Sequence, residues 1–225
     1  MTGTGPPAAT KPPAETRKEA GQLAGRPLSS RRTRPGQPGQ LTTPPCRLAV
    51  AWSAILVGMF DDLLDSNRRY AAGFDLAGLQ GQAKRGFALV TCIDTRIEPL
   101  PALGLRPGDA KILRNAGGRA TPDVLRSLAL ATTFLGIVHV AVMHHTDCAM
   151  ARLGDADVRS RFSPKQQAAT AGWDFWTMTD PDRALADDVA AIAGCAALAA
   201  GVAVEGWRYD VATGLIHRVA AEHRP

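Results

Sequence analysis

The chain has 225 residues, 45% of them apolar, which is enough for one globular domain with a full core. Its formal net charge of +5 is unevenly spread: residues 1–50 hold eight Lys/Arg against two Asp/Glu, and the rest hold eighteen against nineteen. The basicity therefore belongs to an amino-terminal tail, and the composition gives no ground for a nucleic-acid-binding domain.

Residues 1–47 carry nine of the sixteen prolines, with scattered Gly, Thr and Arg. Such a stretch cannot bury enough surface to offset the cost of ordering it. The expected organisation is a disordered basic Pro-rich tail over 1–50 and a single domain over 51–225. Met59 stands directly before helix-like sequence, so the tail also fits a start-site extension. The longest apolar run, Leu48 to Phe60, is too short to span a bilayer. It also begins too deep in the chain for a signal peptide. No membrane partner is expected, and the location expected is cytoplasmic. The four cysteines, Cys46, Cys92, Cys148 and Cys195, fit a reducing compartment, because a chain this large and apolar does not need disulfides.

From Phe60 the pattern becomes regular. Asp61 to Tyr70 reads as a helix with acidic residues at its start, and residues 71–85 as a surface loop. Phe87 to Thr91 is a short continuous apolar run, suited to a strand buried on both faces, with Cys92 at its carboxyl end. Arg106-Pro-Gly-Asp109 is a turn. Ala110 to Leu113 is a second strand, ending at Arg114-Asn115-Ala116-Gly117-Gly118. Thr121-Pro122-Asp123 opens a helix, with Thr121 as N-cap and Pro122 at the first position. Ile137 to Met143 is a third strand, ending at His144-His145. Pro181 to Leu198 is a helix. Val202 to Tyr209 and Leu215 to Val219 are strands around an Asp210–Gly214 hairpin turn. Strands alternating with helices argue an α/β fold with a central, mostly parallel β-sheet flanked by helices. In such a fold the site lies beyond the carboxyl ends of the strands.

Three short pieces fall at those ends: Cys92-Ile-Asp94-Thr-Arg96, Arg114-Asn-Ala-Gly117, and His144-His145-Thr-Asp-Cys148. His145 and Cys148, three residues apart, can converge from one turn, and Cys92 arrives from another strand. Thiolate and imidazole suit zinc, and three protein ligands leave a fourth position open. Asp94 and Arg96 follow Cys92 at alternate positions, which in an extended stretch aims all three to one side. Read from spacing alone, each sulfur equally fits a buried small hydrophobe, and Asp94–Arg96 an ordinary ion pair. Asp109 and Arg114 fit a second support pair. Of the adjacent histidines, one can ligate while the other bonds elsewhere. His139 reads as structural, and Cys195 as core.

Together these pieces, with Gly108-Asp109-Ala110 and the Tyr209-Asp-Val-Ala-Thr-Gly214 hairpin, resemble the β-class carbonic anhydrases, in particular a short bacterial and actinobacterial branch. The resemblance covers about residues 60–220. It implies that Cys92, His145 and Cys148 bind Zn2+, and that Asp94 and Arg96 form the catalytic dyad. It implies reversible hydration of carbon dioxide to bicarbonate and a proton, by attack of zinc-bound hydroxide oriented by Asp94. In some members Asp94 would leave Arg96 and close the site as a fourth ligand. The family unit is a homodimer or a dimer of dimers. The sequence departs from the family at Ala149, where Gly is usual, and at Gly118, where a larger residue is common and where a glycine is expected to loosen the pocket floor. Two other readings remain open at this point. One is hydrolysis of carbonyl sulfide or carbon disulfide on the same fold. The other is a non-catalytic zinc-binding module docked by its basic tail.

Overall fold

The computed structural model describes the backbone of residues 47–223 and the side chains of residues 58–220. Residues 1–46, including Cys46 and nearly all of the expected tail, lie outside the described residues. The described residues divide at Asp61/Asp62 into two units. Helix α1 (Arg47–Ala72) contains the expected Asp61–Tyr70 helix and runs across that boundary. All that follows concerns the second unit.

Its centre is a five-stranded sheet built from β1 (Phe87–Cys92), β2 (Ala110–Asn115), β3 (His139–His145), β4 (Ala203–Tyr209) and β5 (Ile216–His223). The strand order is β2-β1-β3-β4-β5. The first four strands run parallel, and β5 turns back antiparallel on β4. The chain leaves β1 toward β2 on one side and returns to β3 on the other. The carboxyl ends of β1 and β3 therefore flank the point where the winding reverses, which is where open α/β sheets form their crevice.

The period-two alternation of the strands sorts their side chains onto two faces. Ala88, Val90, Val140, Val142 and Val204 share one core cluster with Leu128 of α3 (Pro122–Phe134) and with Leu185, Val189 and Ile192 of α7 (Pro181–Ala193). Leu89, Ala141 and Met143 belong to a second cluster, with Ile97, Met178, Cys92 and Cys148. The continuous apolar runs are explained by burial on both faces, as expected for β1 and found for β3 as well.

Several boundaries differ from the sequence expectation. Strand β2 extends to Asn115, and β3 starts at His139 rather than Ile137. His139 opens that strand and pairs with Phe87 and Ala203, with its side chain exposed. Helix α7 stops at Ala193, because Gly194 caps it. Its other end is capped by Asp180, whose carboxylate accepts the Arg183 backbone N–H at 3.1 Å. Thr121 does precede α3, but its hydroxyl makes no cap bond. It accepts instead from Asn115 Nδ2 at 3.4 Å, tying the helix entry to the end of β2.

The remaining helices are short: α2 (Pro99–Ala102), α4 (Ala149–Arg152), α5 (Asp155–Ser160) and α6 (Pro164–Ala169). A Cβ on Gly206 of β4 would lie 3.0 Å from Val189 and 3.2 Å from Leu185, so α7 lies directly on the sheet. Leu185 is fully buried in that contact. Leu185→Ala is expected to cost about 2–5 kcal/mol of unfolding free energy, read as a lower urea midpoint at unchanged m-value.

Candidate metal centre

Parallel pairing brings the ligand candidates together. Register partners Thr91 and Met143 lie one residue before Cys92 and two before His145, and the Thr91 hydroxyl donates to the Met143 carbonyl at 2.9 Å. Beyond β3 the chain is pinned twice: Thr146 N–H donates to Tyr209 O at 2.9 Å, and Thr146 Oγ1 accepts from Val211 N–H at 3.1 Å. Asp147 then adopts φ 59°, a left-handed conformation that Asp tolerates, and this turns Cys148 back toward the strand ends. Cys148 is the residue before α4.

The Sγ atoms of Cys92 and Cys148 and a ring nitrogen of His145 all lie within 4.8 Å of one another, and all three residues are buried. His145 Nδ1 lies 2.8 Å from Thr146 O. A carbonyl only accepts, so Nδ1 carries the proton and Nε2 presents its lone pair. That Nε2 is buried and has no hydrogen-bond partner among the described residues. An orphaned acceptor facing two sulfurs, with its second nitrogen held by a carbonyl, is the arrangement of a metal-ligating histidine. The Cys2His set fits a zinc site with one position left open.

The paired sulfurs dominate the local electrostatics. A hydrogen bond from the Cys148 thiol holds Cys92 well below the usual thiol range, and the same pairing pushes Cys148 up. The thiolate is the form in which a cysteine binds a metal, and the shift at Cys92 is in that direction. Burial acts to lower His145, but contact with the Cys92 sulfur outweighs it, and the net shift is upward.

Beside the triad, Arg96 forks onto Asp94. Its Nε donates to Oδ1 at 2.9 Å and its Nη2 to Oδ2 at 2.8 Å, while its backbone N–H donates to Oδ1 at 2.9 Å. These bonds hold the Asp94 carboxyl far below the usual carboxylate range. Asp94 Oδ2 lies 3.9 Å from His145 Nε2, so an ionised oxygen borders the ligand atoms. Asp94 and Arg96 meet through a turn, closed by Ile97 N–H on Asp94 O at 3.1 Å, and not through the extended alternation expected from sequence. Asp94, Arg96, Asp147, Ala149, Arg152, Leu153 and Arg161 line a cleft of about 500 Å³ that opens at this point.

The expected Asp109–Arg114 pair does not form. Asp109 accepts from Arg106 N–H, closing the turn before β2. Arg114 instead donates to the carbonyls of Cys92 (2.9 Å) and Asp94 (2.6 Å), and so braces the backbone that carries both.

The comparisons with known proteins fall on the same residues. The family model described as "Carbonic anhydrase" matches residues 87–171. Beta-carbonic anhydrase 1 of Mycobacterium tuberculosis is 31% identical over 159 residues, which is 71% of this chain and 96% of that protein. The chain belongs to the β-carbonic anhydrase family. The carbonic anhydrase of Streptococcus mutans superposes with a TM-score of 0.65 at 35% identity, over 72% of this chain and 97% of that one. A carbon disulfide hydrolase of Saccharolobus solfataricus is 38% identical over 108 residues, covering 48% of this chain and 53% of that protein.

The two departures from the family pattern have different outcomes. Ala149 begins α4 and is not among the residues with positive φ, so its methyl group is tolerated. Gly118 does not loosen the floor. Its φ is 71°, and a Cβ there would lie 2.9 Å from the backbone of Thr91 and Cys92. The 3-10 turn Ala116–Gly118 lies against the end of β1 at a distance only glycine allows.

Behind the triad stands a buried charge cluster that sequence reasoning missed. Asp188 of α7 accepts from Arg119 Nε at 2.6 Å, from His144 Nε2 at 3.0 Å and from Ala120 N–H at 3.1 Å. Arg119 also donates to the Trp176 carbonyl at 2.9 Å. One carboxylate thereby joins α7, the loop after β2, and the histidine next to ligand His145. Burial works against that carboxylate, yet the bonds from His144 and Arg119 outweigh it and hold Asp188 below its ordinary range. The only available signal was an Asp on the apolar side of a helix.

Asp188→Asn leaves Arg119 as an unpaired buried charge, with an expected loss of about 3–5 kcal/mol by urea unfolding at neutral pH. The sign with pH follows from the lowered folded pKa. The Asp188 contribution is present above the unfolded carboxylate value of about 3.9 and fades as pH falls below it. The gap between parent and variant is therefore expected to narrow when the titration is carried down to about pH 3.

Proposed function

We propose that this chain catalyses the reversible hydration of carbon dioxide to bicarbonate and a proton. The observation that carries the reading is the buried, partnerless His145 Nε2 facing two sulfurs, with an Arg-locked carboxylate 3.9 Å away. Cys92, His145 and Cys148 would hold zinc. Zinc bound there supplies Lewis acidity, lowering the pKa of a water toward neutrality.

The chain's own residues supply the rest. Asp94, kept ionised by Arg96, can only accept a hydrogen bond. An O–H beside the triad that donates to Asp94 Oδ2 has its oxygen lone pair turned away from the carboxylate, toward the carbon of an incoming carbon dioxide. Arg96 fixes the carboxylate through two parallel N–H bonds, so this orientation is set before substrate arrives. The cleft lined by Arg96, Arg152 and Arg161 suits departure of an anion into water. Catalytic roles are thus assigned to Asp94 and Arg96, and metal-ligand roles to the triad.

Stopped-flow hydration by the zinc-loaded protein is expected to exceed the uncatalysed rate by orders of magnitude. Asp94→Ala is expected to lose roughly 10²–10³ of kcat while retaining zinc, by analogy with removal of one orienting group. Cys148→Ser is expected to lose zinc itself. A parent no faster than buffer sinks the reading.

The identity shared with a carbon disulfide hydrolase favours one second reading, in which the same centre attacks the carbon of carbon disulfide or carbonyl sulfide. Sulfide release faster than carbon dioxide hydration decides for it.

Among the described residues no helix is long and apolar enough to cross a membrane. We assign the protein to the cytoplasm on the strength of its reduced thiolate site. A homodimer is supported by Leu63, Leu64 and Tyr70 of α1, each exposed by more than half. Light scattering is expected to give twice the 23.7 kDa chain mass, or a multiple of that dimer. Leu63→Glu with Leu64→Glu is expected to shift the mass toward the monomer.

A further inference from the structure

Arg96 holds a second carboxylate. While Nε and Nη2 take Asp94, Nη1 donates to Asp147 Oδ2 at 2.8 Å, and Nη2 also reaches the Asp147 carbonyl at 3.3 Å. Asp147 is in turn held from behind by Arg152, which bonds both its carboxylate and its carbonyl. Four charges of alternating sign, Asp94, Arg96, Asp147 and Arg152, thus run from the triad along the cleft to solvent. The backbone of Asp147 is itself fixed: Thr146 is pinned to Tyr209 and Val211, and Cys148 is a proposed ligand.

The Arg96 side chain is 43% exposed, so packing alone does not hold its plane. A guanidinium gripped only by Asp94 could swing with it. Gripped on a third edge by a residue of the metal loop, it cannot. The alternative for Asp94 lies close by, because its Oδ2 is already 3.9 Å from His145 Nε2, next to the open position of a three-ligand site.

We propose that Asp147 is a positioning residue that clamps Arg96 and thereby keeps Asp94 on the guanidinium and off the metal. It touches neither metal nor substrate and acts through Arg96. The proposal rests on the triad being a zinc site. It adds that the residue between His145 and Cys148 sets whether the fourth position stays free. Asp is suited to the place twice over, since it supplies the charge and it tolerates the positive φ.

The test compares Asp147→Asn and Asp147→Gly in the full chain. Asn keeps the size and the left-handed backbone but loses the charge. Gly keeps the backbone and removes the contact. Each variant is expected to lower kcat about two- to fivefold, the range for a partly exposed ion pair, with KM unchanged within error. Release of zinc to a chelator is expected to slow, because Asp94 now adds a ligand. The visible absorption of the cobalt-substituted variants is expected to shift toward that of a site without water. Adding Asp94→Asn to Asp147→Gly is expected to abolish both the slowing and the shift.

The proposal is overturned if both single variants match the parent in zinc release and cobalt spectrum. It is equally overturned if zinc release slows to the same extent in the double variant. Should the Gly variant fold poorly by its melting temperature, the Asn variant alone decides. A parent that fails to retain about one zinc per chain refutes the underlying metal reading instead, and the inference falls with it.

Discussion

The parallel pairing of β1 with β3 is the constraint on which the rest of the structure depends. It sets two strands that are far apart in sequence side by side, in register, with their carboxyl ends level. Cys92 and His145 then need no special loop to meet. Everything else adjusts to that meeting: the turn that brings Asp94 beside it, the left-handed Asp147 that returns Cys148, and Gly118 lying against the end of β1. The free energy that holds the pairing comes from burial of both sheet faces. The apolar content of β1 and β3 is therefore as much a part of the metal site as the ligands are.

Charge is handled in two layers with opposite physics. In front, Asp94, Arg96, Asp147 and Arg152 form a chain that opens to solvent, where individual ion pairs contribute little to stability. Their value is geometric, since each guanidinium or carboxylate restricts the next. Behind, Asp188, Arg119 and His144 are nearly dry, and there the desolvation cost is met only because the carboxylate accepts three hydrogen bonds. The front layer can rearrange at modest cost and the rear layer cannot.

Most of the fold was legible in the sequence. Short apolar runs separated by helix-length segments gave the strands and their parallel sense, and turn residues gave the breaks. The errors lie at boundaries such as α7, where the alanine-rich run past Gly194 has the composition of a helix and masked the glycine that ends it. The triad was also legible, because soft ligands at successive strand ends are uncommon by accident. The Asp109–Arg114 pairing was misjudged for a physical reason. Arg114 has a long side chain, and the two carbonyls it reaches belong to the end of a neighbouring strand and the turn after it, which sequence spacing does not place.

By itself the sequence determined the donor chemistry: two thiols, an imidazole, a carboxylate and an arginine, each at the end of a segment that had to be a strand or a turn. That much follows from residue type and local periodicity, which act within a few positions. Only the tertiary structure decided which histidine faces the sulfurs and which faces Asp188, and why Gly118 cannot be larger. It alone showed that Arg96 has two carboxylates rather than one. Those outcomes depend on contacts between residues twenty to seventy positions apart, whose approach is set by how helices and strands pack and is encoded in no single stretch of the chain.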